Sequence, residues 1–240
     1  MRLLWDEFQR AVPLIWGGNA YILSVTWVTI RVALISTGIA LVLGLPLALA
    51  LGLGRFRGRR TLQILANASL GLPPVIAGLV LFLLFIPQGA LGSLHLVFTL
   101  KAVYVAQTVL ALPYVVALTA AAIQGLPPGL LGQARVLGAG RGQLCALAVR
   151  EAKIGVLAAV IAALGSTLSE VGAVVIVGGN VHGYDQTLAS AVLEQVNSAS
   201  YTNAVAIGIV LMLLILLLLG VLTVLQQREG GIGLRFRPSA

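Results

Sequence analysis

Glu170 is the side chain of this sequence best able to do chemistry where chemistry is costly. It lies in an apolar run, 154–177, beside Ser166, Thr167 and Ser169, and no other Asp or Glu falls inside a long apolar run. A charge at mid-bilayer costs roughly 2.5–3.5 kcal/mol even on insertion scales, so Glu170 must face protein or water. Two roles fit these residues. Glu170, Ser166, Ser169 and the downstream Asn180 can belong to a polar pathway or its gate, or Glu170 can be a structural hydrogen-bond anchor. Arg31 and Lys101 are cations that fall near the ends of two other apolar runs. They either snorkel to the headgroups or line the mouth of such a path.

Other chemistries have little to work with. His95 and His182 stand far apart without carboxylates at ligand spacing, and the lone Cys145 excludes an internal disulfide framework, so no metal site is expected. There is no HExxH, no Ser/His/Asp set and no pair of intramembrane carboxylates, so an enzyme is not expected. A Walker A motif is also missing; any ATP-driven work must come from another chain, and this one is expected to hold no cofactor.

The elements that must position these residues follow from composition. Of 240 residues, 59% are hydrophobic and 9% charged, against about 25% charged in a soluble domain. With a mean hydropathy of +1.04, most of the surface must face lipid. Five apolar runs are long enough to cross a bilayer, within 21–53, 61–86, 99–124, 154–177 and 202–225. In hydrocarbon each backbone N–H must bond within its own segment, so an all-α polytopic membrane protein with five transmembrane helices is expected. The period-two alternation of a membrane barrel is absent.

Lys and Arg set the orientation. Arg55, Arg57, Arg59 and Arg60 follow the first run; Arg135, Arg141, Arg150 and Lys153 separate the third from the fourth; Arg228, Arg235 and Arg237 end the chain. With five spans all eleven fall on one side, while loops 87–98 and 178–201 hold no Lys or Arg. The N-terminus is therefore expected outside and the C-terminus inside. Net charge of +8 thus reflects membrane orientation rather than nucleic-acid binding. Residues 1–20 hold Leu3, Leu4, Trp5, Phe8 and Val12 at helical spacing and are expected to lie at the membrane surface. Residues 21–226 form the transmembrane domain, and 227–240 a cytoplasmic tail. Pro73 and Pro74 fall inside the second run, Pro113 inside the third and Pro46 inside the first. Each removes a helical hydrogen bond, and the result is either a plain kink or a break bordering a polar path.

The segment 129–153 is too polar to span and too patterned to be slack. Leu130, Ala134, Leu137, Leu144, Leu147 and Ala148 recur at helical spacing around Gly138-Ala-Gly140, which predicts two short helices and a turn. Small residues there admit a close protein neighbour, and Arg135 and Arg141 offer multi-donor contacts to it.

Gln133-Ala-Arg-Val-Leu-Gly-Ala-Gly-Arg141 resembles the cytoplasmic coupling loop of ABC importer permeases, with the Ala-x-x-x-Gly core at Ala134 and Gly138. Gly132 stands where the family carries glutamate, and Arg150-Glu151 where it carries Leu-Pro. Ser169-Glu-Val-Gly-Ala173 and Val177-Gly-Gly-Asn180 are similar to the segment after this loop in molybdate and tungstate permeases. Gly71-Leu-Pro-Pro-Val-Ile-Ala-Gly78, Ala106-Gln-Thr-Val-Leu-Ala-Leu-Pro113 and Val149-Arg-Glu-Ala152 resemble the tungstate branch. The likeness runs from about Val25 to Gln226. It implies a homodimer in the inner membrane, two cytoplasmic ATPase subunits that bind ATP, and an extracytoplasmic substrate-binding protein. It implies that Ala134, Arg135, Gly138, Ala139 and Arg141 contact the ATPase. An ionised Glu170 would repel an oxyanion, which favours its structural or gating role. The alternatives are a permease for molybdate, sulfate or another solute, or a secondary transporter or channel. Against these last stand the missing internal repeat and the missing midplane relay.

Overall fold

The computed structural model describes residues 2–231, with side chains described for 5–228. The side chains of Leu3 and Leu4, and the tail residues Arg235 and Arg237, lie outside the described residues. Within them the chain forms eleven α-helices and no strand. An amphipathic α1 (Arg2–Trp16) precedes the long α2 (Ala20–Leu53), which opens where the Asn19 side chain accepts a hydrogen bond from the Tyr21 N–H. At 34 residues, α2 is ~51 Å long and overshoots a ~30 Å hydrocarbon core. The helix stays continuous through Pro46.

The second apolar run does not cross as one helix. It splits into α3 (Arg59–Ala68), a 3-10 turn at Ser69–Gly71, and α4 (Pro74–Phe85), bent by 103°. Leu72 and Pro73 each precede a proline, and proline forces the residue before it out of the helical region. Both are extended, with ψ of 125° and 120°. Two successive prolines therefore make a full break rather than a plain kink, and Pro74 then opens α4 at the position where proline is well tolerated.

Pro113 behaves differently from the break expected of it. It lies inside an unbroken α5 (Leu100–Gln124), which is packed between α2 and α8 and held from both sides. Neighbouring helices can sustain a proline-containing ladder in a membrane protein, and here they do.

After α5 come α6 (Leu130–Val136) and α7 (Arg141–Glu151), then α8 (Lys153–Ser169) and α9 (Gly172–Gly178). The last two form the fourth apolar run, bent by 61° at Glu170. The run 178–201, read above as a loop, contains α10 (Leu188–Asn197). The chain's last described helix is α11 (Tyr201–Gly231). Among the described residues three helices are long and apolar enough to cross a membrane, and the number is five when each bent pair counts as one span.

Close contacts at small residues hold α5 at the centre, as expected where lipid supplies no hydrophobic drive between helices. A Cβ on Gly44 would lie 2.8 Å from Val115, one on Gly52 2.6 Å from Ile123, and one on Gly155 2.2 Å from Ala122. Toward the other end, Val103, Leu110, Val174, Val177 and Phe85 share a core with Val32. The outer rim of α11, by contrast, leaves Met212, Leu213, Leu216, Leu217 and Val221 exposed. Such a surface is stable only against lipid or another apolar body.

Candidate coupling surface and transport pathway

The segment 129–153 folds as a helix-turn-helix. Gly129, at φ +93°, lets the chain enter α6. At the far end the Gly138 N–H donates to the Arg135 carbonyl at 3.0 Å, and the Ala139 N–H to the Ala134 carbonyl at 2.9 Å. With Gly138 at φ +87°, this is a Schellman stop, which needs a residue tolerant of the left-handed region. The Gln143 side chain accepts from the Gly140 N–H at 2.8 Å and starts α7. Two hydrogen-bonded ends thus fix a turn of four residues.

What the turn displays is unusual for a water-facing loop. Val136 is 88% and Leu137 87% exposed at its tip. Arg135 and Arg141 are also exposed, and neither forms an ion pair. A Cβ on Gly132, Gly138 or Gly142 would meet nothing within 4 Å. Behind this face Leu144 and Ala148 are buried, with Ala148 packed beside Ile123 and Ala152. A motion imposed on the tip would therefore reach the ends of α5 and α8 through packed side chains. The structure brings Ala134, Arg135, Gly138, Ala139 and Arg141 together on this one element.

Glu170 lies at the α8–α9 break rather than inside a helix. Its backbone is extended, at φ −76° and ψ 130°. Its Oε1 accepts from the Ala173 N–H at 2.9 Å. That N–H belongs to the first turn of α9, whose donors have no partner within the helix. Ser169 donates to the Gly165 and Ser166 carbonyls at 2.9 and 3.3 Å, closing the last turn of α8. Ser169 is exposed, while Ser166 and Glu170 are half-buried.

The two broken pairs meet at their breaks. A Cβ on Gly172 would lie 2.6 Å from Val75, and one on Gly78 2.7 Å from the Ala173 Cα. Pro73 and Pro74 therefore position the start of α4 against the start of α9, next to Glu170.

Asn180 belongs to a separate polar group at the opposite end from α6–α7. It follows Gly179, and both adopt left-handed backbone, at φ +57° and +89°. Its Nδ2 donates to Glu194 Oε2 at 3.5 Å, and its Oδ1 is buried without a partner. Gln186 donates to the same Glu194 oxygen and accepts from the Tyr21 hydroxyl at 2.7 Å. Asp185 is fully buried; Oδ1 accepts from the Val181 N–H at 2.5 Å, and Oδ2 has no partner. Burial raises the Asp185 carboxyl above its ordinary value, against a smaller lowering by backbone hydrogen bonds. Sequence reasoning missed Asp185, Gln186 and Glu194. The available signal was Thr187, whose side chain accepts from the Ser190 N–H at 3.3 Å and caps α10. Arg31 and Lys101 are both exposed, on α2 and at the start of α5, and neither is ion-paired.

Comparison with known proteins places these features. Residues 40–230 match the family described as binding-protein-dependent transport system inner membrane component. A probable anion ABC transporter permease protein of Haloferax volcanii is 34% identical over 201 residues, covering 82% of this chain and 87% of that protein. The tungstate uptake system permease protein of Peptoclostridium acidaminophilum is 28% identical over 227 residues, covering 95% and 100%. Relatives also include sulfate and molybdenum transport permeases. A bacterial ABC transporter that imports the acidic polysaccharide alginate shares the fold, with a TM-score of 0.75 at 16% identity over 92% of this chain and 83% of its own. The helix-turn-helix, the broken apolar runs and the matched length lead to one assignment: the chain belongs to the binding-protein-dependent transport system inner membrane components, the non-catalytic permease subunits of ABC importers.

Proposed function

We propose that this permease moves a tetrahedral oxyanion inward, tungstate foremost, as a homodimer driven by two ATPase subunits bound at α6–α7. The observation that carries the coupling role is the rigid turn with Val136 and Leu137 almost wholly exposed. An apolar tip of this kind fits a groove on a partner protein, and it is poorly suited to water. The α6–α7 end then faces the cytoplasm, the N-terminus and the α9–α10 segment face outward, and a binding protein delivers the anion there. Similarity to permeases of anion and tungstate transport supports the cargo class.

In this reading the anion enters between the outer ends of α2, α5 and α9. Arg31 and Lys101 raise its local density, doubled about the dimer axis, over the ~8 Å that charge reaches at ~0.15 M salt. Glu170 already accepts an N–H, so it serves as anchor or gate for the α8–α9 break while Ser166 and Ser169 border the path. The test is mass-spectrometric uptake of tungstate, molybdate and sulfate by cells carrying the whole transporter. Preferential tungstate uptake is expected. Preferential sulfate or molybdate uptake moves the cargo within the oxyanions, and uptake of a cation or amino acid overturns the oxyanion reading.

A further inference from the structure

Two adjoining cavities lie at the arginine-rich end of α2, and they share Leu53, Arg55 and Arg135. The first, about 610 Å³, is walled by Arg55, Arg59, Arg135 and Gln124. The second, about 730 Å³, adds Arg141 but is otherwise apolar, with Pro46, Leu49, Ala50 and Leu144. Four arginines from two separate stretches of chain, 55–59 and 135–141, thus converge, and no Asp or Glu lines either cavity. Of these four, Arg59 alone has a partner among the described residues, donating to the Leu51 and Gly52 carbonyls at 2.7 and 3.3 Å at the end of α2.

Like charges held together repel unless an anion lies between them. Guanidinium forks suit phosphate, which they bind through paired N–H donors. Beside the cations the apolar compartment climbs along α2 from Leu53 to Pro46, and Pro46 and Ala50 are exposed on the outside of that helix. A basic pocket opening onto an apolar channel at the end of a spanning helix has the form of an anionic headgroup with its acyl chain. A free oxyanion would use the arginines and leave the Pro46–Leu53 channel without purpose.

We propose that this double cavity binds an anionic phospholipid of the inner leaflet, with its phosphate among Arg55, Arg59, Arg135 and Arg141 and an acyl chain along Pro46, Ala50 and Leu53. The lipid ties the end of α2 to α6 and α7, so it sets how firmly the coupling element is held. This rests on the orientation proposed above, which puts the α6–α7 end at the inner leaflet.

The experiment uses the full transporter complex, with Arg55→Gln removing a cation and Ala50→Trp filling the apolar compartment. Native mass spectrometry with added phosphatidylglycerol or phosphatidylcholine reads binding without needing transport, so it stands even if the cargo or ATPase assignments fail. Retention of phosphatidylglycerol over phosphatidylcholine is expected for the wild type, falling at least severalfold in either variant. Complexes in nanodiscs should hydrolyse ATP faster in phosphatidylglycerol than in phosphatidylcholine, and Arg55→Gln should flatten that dependence. Equal retention of both lipids by the wild type overturns the proposal. So does displacement of phosphatidylglycerol by millimolar phosphate or tungstate with Ala50→Trp harmless, because the site then serves a free oxyanion. Arg55→Cys that crosslinks to the ATPase in every assembled complex overturns it as well, because protein then covers the cations.

Discussion

Removing the Glu170 carboxylate should cost stability before it costs anything else. Its Oε1 is 2.9 Å from the Ala173 N–H, and Ala173 is fully buried. Glu170→Ala strips the cap from α9 and leaves that donor with no partner inside α9. A hydrogen bond to a charged group is worth about 1.5–3 kcal/mol, and cap loss alone typically costs about 1 kcal/mol. A loss of about 2 kcal/mol is expected for Glu170→Ala. Glu170→Gln retains an oxygen in place and gives up only charge assistance, which roughly doubles such a bond, so about half that loss is expected. Cys145 is the chain's one cysteine and is half-buried on α7, so a thiol-reactive dye on heating or denaturant titration reports unfolding of the purified transporter. If Glu170→Ala unfolds like the wild type while transport collapses, the cap argument is refuted and the carboxylate acts on the pathway itself.

Three further outcomes follow from the same geometry. Gly78→Leu should force α4 off α9, because even a Cβ there would lie 2.7 Å from the Ala173 backbone; overpacking of this kind costs about 1–3 kcal/mol, read by the same unfolding assay. Arg31→Gln and Lys101→Gln should lower uptake more at low substrate than at saturation if these cations guide the anion. Unchanged uptake by correctly inserted protein would mean that they only snorkel. Asp185 is raised by burial, so the folded state binds its proton more tightly than the unfolded state does. Its contribution to stability is therefore greatest at low pH and is lost as pH rises through the raised value. Asp185→Asn keeps an acceptor for the Val181 N–H, so it should stabilise segment 178–201 at neutral pH and flatten its pH dependence by hydrogen exchange.

The spans were legible because membrane length and backbone hydrogen bonding leave one solution for a long apolar run. The helix-turn-helix of 129–153 was legible because Gly138 and Gly140 punctuate two amphipathic stretches, and the Schellman stop at Gly138 is the local consequence. Prolines were visible, but their outcomes were not. Pro73-Pro74 breaks its run through its own backbone restrictions, whereas Pro113 is carried by α2 and α8, which sequence cannot place beside it. Glu170 stood out by charge alone. Its true partner, the Ala173 N–H, becomes free only because the helix breaks there, so the cap presupposes the tertiary fold. Asp185, Gln186 and Glu194 read as ordinary loop polars, since sequence does not show that Tyr21, 165 residues away, donates to Gln186, which in turn donates to Glu194.

The central claim is that α6–α7 couples this permease to a separate ATPase. It is tested most directly by ATP hydrolysis of the reconstituted complex with and without the loaded binding protein, comparing wild type with Gly138→Leu and Ala139→Asp. At φ +87° a leucine costs roughly 1–2 kcal/mol of left-handed strain, confined to a turn that touches no span. Both variants should therefore insert and fold, yet lose the stimulation by loaded binding protein. Full stimulation in a well-assembled variant complex would contradict the account and remove this turn as the coupling element.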